Sequence, residues 1–289
     1  MTGGDLKIGI IGAGKAGTAL AMGLSRAGYT VAAVASRSPA SAYKLADRLP
    51  SAIAFDKPQG ICEAADVVFI AVPDAAIGGT AAALTARPGV MACHVSAATP
   101  LDVLEPLRVQ GAITGVFHPL QAIGSRAEAE ILPGITFAIE AEEPLKALLQ
   151  QMASRLGGRS VELSGADRVL YHVSAVMASN YLVTLVALAA GLWQGFANRE
   201  QAARALVPLI RGTLDYIENI GIPECLTGPI ARGDTATIKR HLEALVENAP
   251  QTLDIYRKLG LETIPVAAAK GGIDEGKAAE LRALLEKRL

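Results

Sequence analysis

The sequence predicts an α/β fold, a mostly parallel sheet domain followed by an all-α C-terminal domain. Three observations carry this expectation. Up to about residue 164, short apolar runs alternate with amphipathic helical stretches, the pattern of a parallel sheet covered on both faces. The first run passes directly into a glycine-rich turn and then a helix. After Ser164 the strand-like runs nearly vanish and long helical stretches take over, so the domains are expected at residues 1–164 and 165–289.

Strands are expected at Lys7 to Ile11, Val31 to Ala35, Val67 to Val72, Met91 to Ser96, Ile113 to Phe117, Thr136 to Glu140 and Ser160 to Leu163. Helices at Gly17 to Ala27, Ala40 to Leu49 and Pro144 to Leu156 carry apolar residues at three-to-four spacing. In the second half, helices are expected from about Ala166 to Phe196 and from Glu200 to Ile220. A glycine- and proline-rich loop follows, then a helix from Thr235 to Asn248 closed by Pro250, then two shorter helices. The 51% apolar but only 4% aromatic composition suits a core of Ala, Val, Leu and Ile.

Gly12-Ala13-Gly14-Lys15-Ala16-Gly17 fits GxGxxG between a strand and a helix, the Rossmann-type arrangement for a dinucleotide. Gly12 permits the tight turn, Gly14 lets the backbone approach a pyrophosphate, and Gly17 allows close helix packing. The helix N-terminus offers unpaired N–H groups to the anion. About 20 residues on, where an NAD site usually offers an acid to the ribose, the chain reads Ser36-Arg37-Ser38. An arginine flanked by hydroxyls pairs with a 2′-phosphate, so the expected cofactor is NADP (NADPH). Val72 and Pro73, at the end of another strand, are expected to face the nicotinamide half, with Asp74 the N-cap of the next helix.

Charge and cysteine usage narrow the partners. With 27 basic against 28 acidic residues, the chain has no positive excess to attract nucleic acid or an anionic bilayer. Cys62, Cys93 and Cys225 are far apart and form no CxxC pair, which argues against a disulfide framework or zinc site and fits the cytoplasm. No secretion signal precedes the first strand. Val169 to Asn198 lacks Asp, Glu, Lys and Arg, yet it carries His172, Ser174, Ser179, Asn180 and Thr184. A helix buried at a domain or subunit interface accounts for it better than a membrane span.

Of the four histidines, His118 follows an apolar strand in Phe117-His118-Pro119 and His172 opens a polar stripe with Ser179 and Asn180, so both are candidates for proton transfer. His94 and His241 read as structural. Arg232, between Gly228 and Gly233, is placed to clamp a substrate anion, and Asp234 reads as a helix N-cap. No lysine lies between Lys146 and Lys239, and no YxxxK occurs. The lysine proton donors of β-hydroxyacid dehydrogenases and ketopantoate reductases, and the short-chain dehydrogenase motif, are therefore absent.

The segments GIIGAGKAGTALA, ADVVFIAVPD, HVSAATPLDVL, FHPLQ, YHVSAVMASNYLVTL and LTGPIARGDTATIKRHL occur in that order. Together they resemble the Rossmann-like proteins with a DUF2520 domain, relatives of 6-phosphogluconate dehydrogenase and pyrroline-5-carboxylate reductase. The resemblance covers nearly the whole chain. It implies an NAD(P)-dependent oxidoreductase, dimeric through its helical domain, and it points at His118, His172, Asn180 and Arg232. FHPLQ is also similar to the HPM segment of prephenate dehydrogenases, whose histidine is catalytic. Ala97 departs from the pattern where a glycine is expected after Ser96.

The combined expectation is an NADP-dependent oxidoreductase moving a hydride between NADPH and a small carbonyl or imine bound between the domains. His118 or His172 is the proton donor, Asn180 and Ser96 orient the reacting group, and Arg232 holds an anion. The alternative from another class is a non-catalytic NADP(H)-binding or sensing protein.

Overall fold

The computed structural model describes residues 6–124 and 131–287. Its sheet has eight strands: β1 (Lys7–Ile11), β2 (Thr30–Ala35), β3 (Ile53–Phe55), β4 (Val67–Ile70), β5 (Met91–His94), β6 (Ile113–Pro119), β7 (Thr136–Ala141) and β8 (Arg159–Glu162). Their order is β3-β2-β1-β4-β5-β6-β7-β8. β1 to β6 are mutually parallel in the doubly wound Rossmann order, whereas β7 pairs antiparallel with β6 and β8 parallel with β7.

Six helices join these strands: α1 (Lys15–Arg26), α2 (Pro39–Ala46), α3 (Gln59–Ala64), α4 (Asp74–Ala82), α5 (Glu105–Arg108) and α6 (Leu145–Arg155). Because strand side chains alternate between faces, the continuous apolar runs feed two cores at once. On one face Ile8, Ile10, Phe69, Phe117 and Phe137 pack with Leu20 and Leu24 of α1 and Leu149 and Met152 of α6. On the other, Ile11, Val68 and Ile70 pack with Ile61, Ile77 and Leu104. Phe117 stacks on Phe137 at 4.7 Å between ring centroids and meets Phe69 at 5.8 Å, so three of the five phenylalanines cluster around β6.

Every expected strand is present, with ends shifted by one or two residues. β3 went unread because it is a three-residue edge strand, too short to show a period. The seventh helical stretch is interrupted: α7 (Arg168–Ala175), a π turn (Val176–Asn180) and α8 (Tyr181–Gly191) follow without a break. α9 (Arg199–Asn219) opens on a capping box in which Asn198 accepts from the Gln201 N–H and Gln201 accepts from the Asn198 N–H. α10 (Thr235–Asn248) is capped by Asp234, as expected.

Pro250, expected to close α10, instead opens α11 (Pro250–Ala269), a position where its missing N–H costs nothing. α11 has 20 residues and so is not a short helix; α12 (Glu275–Glu286) completes the chain. Ile238, Leu242, Ile264, Leu281 and Leu285 form the core of these last three helices.

The chain divides into two compact units, Met1–Ser179 and Asn180–Leu289, with α7 in the first. The reason lies at the start of α7. Arg168, only 3% exposed, is ion-paired with Glu140 of β7, which binds α7 into the first unit.

Replacing Phe117 with Ala removes the ring shared by both aromatic contacts. A loss of about 3–5 kcal/mol of stability is expected by urea denaturation. A loss below about 1 kcal/mol would show that this ring is not central to the core.

Candidate functional site

In a doubly wound sheet, ligands lie outside the carboxyl ends of the strands, here the ends of β1, β2, β4, β5 and β6. The glycine-rich loop leaves β1 at this edge and is tied to the end of β2 by the Gly12 N–H, which donates to the Ala35 carbonyl at 2.7 Å. Gly12 has φ +113°, and a Cβ there would run into the Ala71 carbonyl of the neighbouring strand end. Gly17 is packed against the Gly12 carbonyl. Gly14 is the contrast: it is exposed, and a Cβ would meet no protein atom within 4 Å.

Gly14 therefore faces an open cradle at the N-terminus of α1, where no side chain caps the helix. Ala13, Lys15 and Ala16 complete the turn, with Lys15 exposed. Open space in front of free helix N–H groups fits a dinucleotide pyrophosphate. Just past β2, Ser36 is half-buried and Arg37 and Ser38 are exposed, and Arg37 forms no ion pair among the described residues. Its guanidinium is thus available to a phosphate. Val72 is half-buried and Pro73 exposed at the end of β4; Pro73 is the N-cap of α4 and Asp74 its first residue, one position later than expected.

Along the same edge, β5 and β6 contribute His94 and His118. His94 is fully buried, and its Nδ1 accepts the Ser96 N–H at 3.2 Å. Burial, aided by the nearby Arg168 charge, lowers its pKa to about 4, which agrees with a structural role for a neutral ring. Ser96 is 5% exposed; its hydroxyl donates to Thr99 Oγ1 at 2.9 Å and accepts the Thr99 N–H at 3.0 Å. That hydroxyl is occupied in holding a turn.

His118 is partly exposed, and its Nδ1 lies 2.8 Å from the Tyr171 hydroxyl, with the two rings edge to face at 86°. Burial is the main cause that lowers the His118 pKa to about 4, with His172 adding to it and Asp74 opposing. Burial likewise pushes the Tyr171 phenol up to about 12. At neutral pH the pair is therefore an uncharged imidazole bonded to a protonated phenol. His172 is exposed on the next residue of α7.

The remaining candidates stand apart from this edge in the chain's organisation. Asn180, in the π turn, and Arg232, in a short turn capped by Gly233 at φ +65°, are exposed residues of the second unit. His241, read as structural, is also in that unit, with Nδ1 2.8 Å from the Tyr256 hydroxyl.

Tyr171 was not singled out in the sequence. Its partner His118 is 53 positions away, and no local pattern announces such a pairing. The usable signal is that a tyrosine hydroxyl in an uncharged apolar stretch needs a hydrogen-bond partner.

Residues 1–119 match the model of the Rossmann-like domain, and residues 135–263 match DUF2520, a domain of unknown function. Among solved structures, a proposed NADP oxidoreductase from Bacteroides fragilis is 26% identical, with 92% of this chain and 98% of that one covered and a TM-score of 0.68. A protein from Thermotoga maritima is 21% identical, with 96% and 98% covered and a TM-score of 0.63. A reductive aminase from Aspergillus terreus, solved with NADPH and ethyl levulinate, is 16% identical, with 97% and 92% covered and a TM-score of 0.60. No curated protein matches the sequence. The fold is one that NADP-dependent oxidoreductases use, and it suits NAD(P) binding.

The two lowered histidines have a stability consequence with a definite sign. Each binds its proton less readily when folded (about 4) than when unfolded (6.5), so neutral rings stabilise the fold above pH 6.5. That contribution is lost as pH falls through 6.5 towards 4. In NMR titrations the Cε1–H signals of His94 and His118 should move with midpoints near 4; midpoints near 6.5 would mean that these rings are not held neutral by burial.

Proposed function

We propose that this chain, a Rossmann-like domain followed by a DUF2520 domain, is an NADPH-dependent reductase of small carbonyl or imine compounds, in which the His118–Tyr171 pair supplies the proton. The single observation that carries the reading is this hydrogen-bonded pair, held at 2.8 Å on the same sheet edge as the open cradle at Gly14.

Gly12 to Gly17 and the N-terminus of α1 would hold the pyrophosphate, Ser36, Arg37 and Ser38 the 2′-phosphate, and Val72 and Pro73 the nicotinamide half. NADPH supplies the hydride. The neutral pair contains two acidic hydrogens, one on the imidazole and one on the phenol. Its internal hydrogen bond consumes one, whichever way that bond runs, and leaves one to donate to a substrate oxygen or nitrogen.

As the carbon of the C=O or C=N bond gains the hydride, the heteroatom gains the electron pair of that bond and takes this proton. The second proton shifts within the pair, and water restores the one given up. His172, the residue after Tyr171 on α7, is the group proposed to orient the reacting atom.

A homodimer is the proposed state. The stretch Arg168–Gly191 is 24 residues long; its most apolar 18-residue window has mean hydropathy 1.8, and only 6% of that window is buried in the single chain. By length and composition alone it could cross a membrane. Its first residue, however, is ion-paired inside the first unit, and His172, Ser174 and Asn180 interrupt its apolar surface, which suits a second copy better. Three free cysteines fit work in a reducing cytoplasm.

The reductase reading predicts NADPH oxidation during a screen of small ketones, keto acids and imines. Arg37→Ala should weaken NADPH binding about ten-fold, by loss of a charged pair, and leave NADH binding unchanged. Tyr171→Phe should lower kcat about 10²-fold with NADPH affinity intact. Tight NADPH binding with no turnover on any compound would instead make the protein a sensor. For the dimer, light scattering in detergent-free buffer should give twice the chain mass, and Leu170→Glu/Val173→Glu should give the single chain. Recovery only with membranes or detergent would overturn it.

A further inference from the structure

The helical unit contains a cavity of about 640 Å³, bounded by the chain that follows α8 and by α10 and α11. Leu192, Phe196, Leu245 and Ala249 form apolar walls, and His241, Tyr256, Gln194 and Asn248 present polar edges. The volume is that of a small-molecule site, and a mostly apolar lining with a few convergent polar groups is its usual make-up. No Asp, Glu, Lys or Arg lines it.

The polar edge has a definite hydrogen-bond capacity. His241 Nδ1 lies 2.8 Å from the Tyr256 hydroxyl, and the rings meet edge to face at 79°. Burial raises the Tyr256 pKa, so its hydroxyl keeps its proton. A neutral His–Tyr pair again has two hydrogens and spends one internally. If Tyr256 donates to Nδ1, the His241 Nε2–H is left; if the imidazole donates, the Tyr256 O–H is left. Either way the pair leaves one donor, the Gln194 and Asn248 amides add further hydrogen-bonding groups, and no charge of either sign lines the site.

We propose that this cavity is a binding site for an uncharged small molecule with an apolar, ring-sized body and at least one strong hydrogen-bond acceptor, such as an amide or ester carbonyl. The site does not rest on the reductase reading, because all of its residues are in the helical unit. Carboxylates are disfavoured, since entry would strip a charge of water with no cation to replace it. Hydrocarbons fill the chamber and leave the donor unmet.

Trp193, the only tryptophan in the chain, has its ring centroid 5.1 Å from that of Phe196 and so reports on the cavity wall. The test is a fluorescence titration of the full-length protein with N,N-dimethylbenzamide, toluene and benzoate, none of which accepts a hydride from NADPH. N,N-dimethylbenzamide should perturb Trp193 and bind about ten-fold more tightly than toluene or benzoate.

Ala244→Phe, at an exposed position lining the cavity, should abolish this binding and leave the helical circular dichroism and NADPH binding unchanged. His241→Leu/Tyr256→Phe should lose most of the preference for the amide over toluene, because the Gln194 and Asn248 amides remain. Equal binding of all three compounds by the unaltered protein, or unchanged binding by Ala244→Phe, would overturn the proposal. So would no perturbation by any of them at millimolar concentration, which would leave the surface to a protein contact.

Discussion

The ion pair between Arg168 and Glu140 is the contact on which the candidate site depends. β6 and β7 run antiparallel with Glu140 opposite Val116 and Ala138 opposite His118, so Glu140 and His118 are diagonal neighbours on one face. Arg168 and Tyr171 are three residues apart on α7 and therefore also share a face. One helix face thus meets one sheet face at two points, Arg168 on Glu140 and Tyr171 on His118. A guanidinium this buried has little freedom to move, because separating it from its carboxylate would leave two charges without water. That restriction delivers the Tyr171 hydroxyl to the imidazole.

The same burial sets the electrostatic character of the site. Removal from water lowers the pKa of His94 and of His118, and the Arg168 charge adds to the lowering of both. An imidazolium there would be costly, so the proposed proton transfer would start from neutral donors and not from a positively charged acid. The phenol–imidazole pair suits that condition. Its proton need not be taken from bulk water at the moment of reaction, and its geometry is set before substrate arrives. The sequence points to His118 or His172 as the proton donor; the structure adds the Tyr171 hydroxyl, from another element, hydrogen-bonded to His118.

Beyond Arg168 the chain changes character. α7, the π turn and α8 present Val169, Leu170, Val173, Met177, Tyr181 and Val183 to solvent, interspersed with His172, Ser174 and Asn180, and single soluble chains rarely leave this much apolar surface uncovered. The π turn lies within this stretch and contains Asn180, and such turns recur where a helix has to redirect side chains at a functional position. The helix was expected to be buried. In the single chain it is exposed, and the physical demand for cover is what the proposed second copy meets.

Much of the architecture was legible without the structure because it is written in local patterns. The period and placement of the apolar runs specify the parallel sheet, and GxGxxG between the first strand and a helix specifies the anion cradle at Gly14. The capping side chain of Asp234 needed only its neighbours to be read. Three things required the tertiary structure: the edge strand β3, the antiparallel turn of β7, and the side chains that meet. β3 is defined by its pairing with β2, since three residues have no period of their own. Tyr171 meets His118 across 53 positions, and Arg168 meets Glu140, because β7 runs antiparallel to β6 and α7 lies against that face. Hydrogen bonds and ion pairs of this kind depend on distances in space between residues remote in the chain, whereas periodicity and capping depend only on near neighbours.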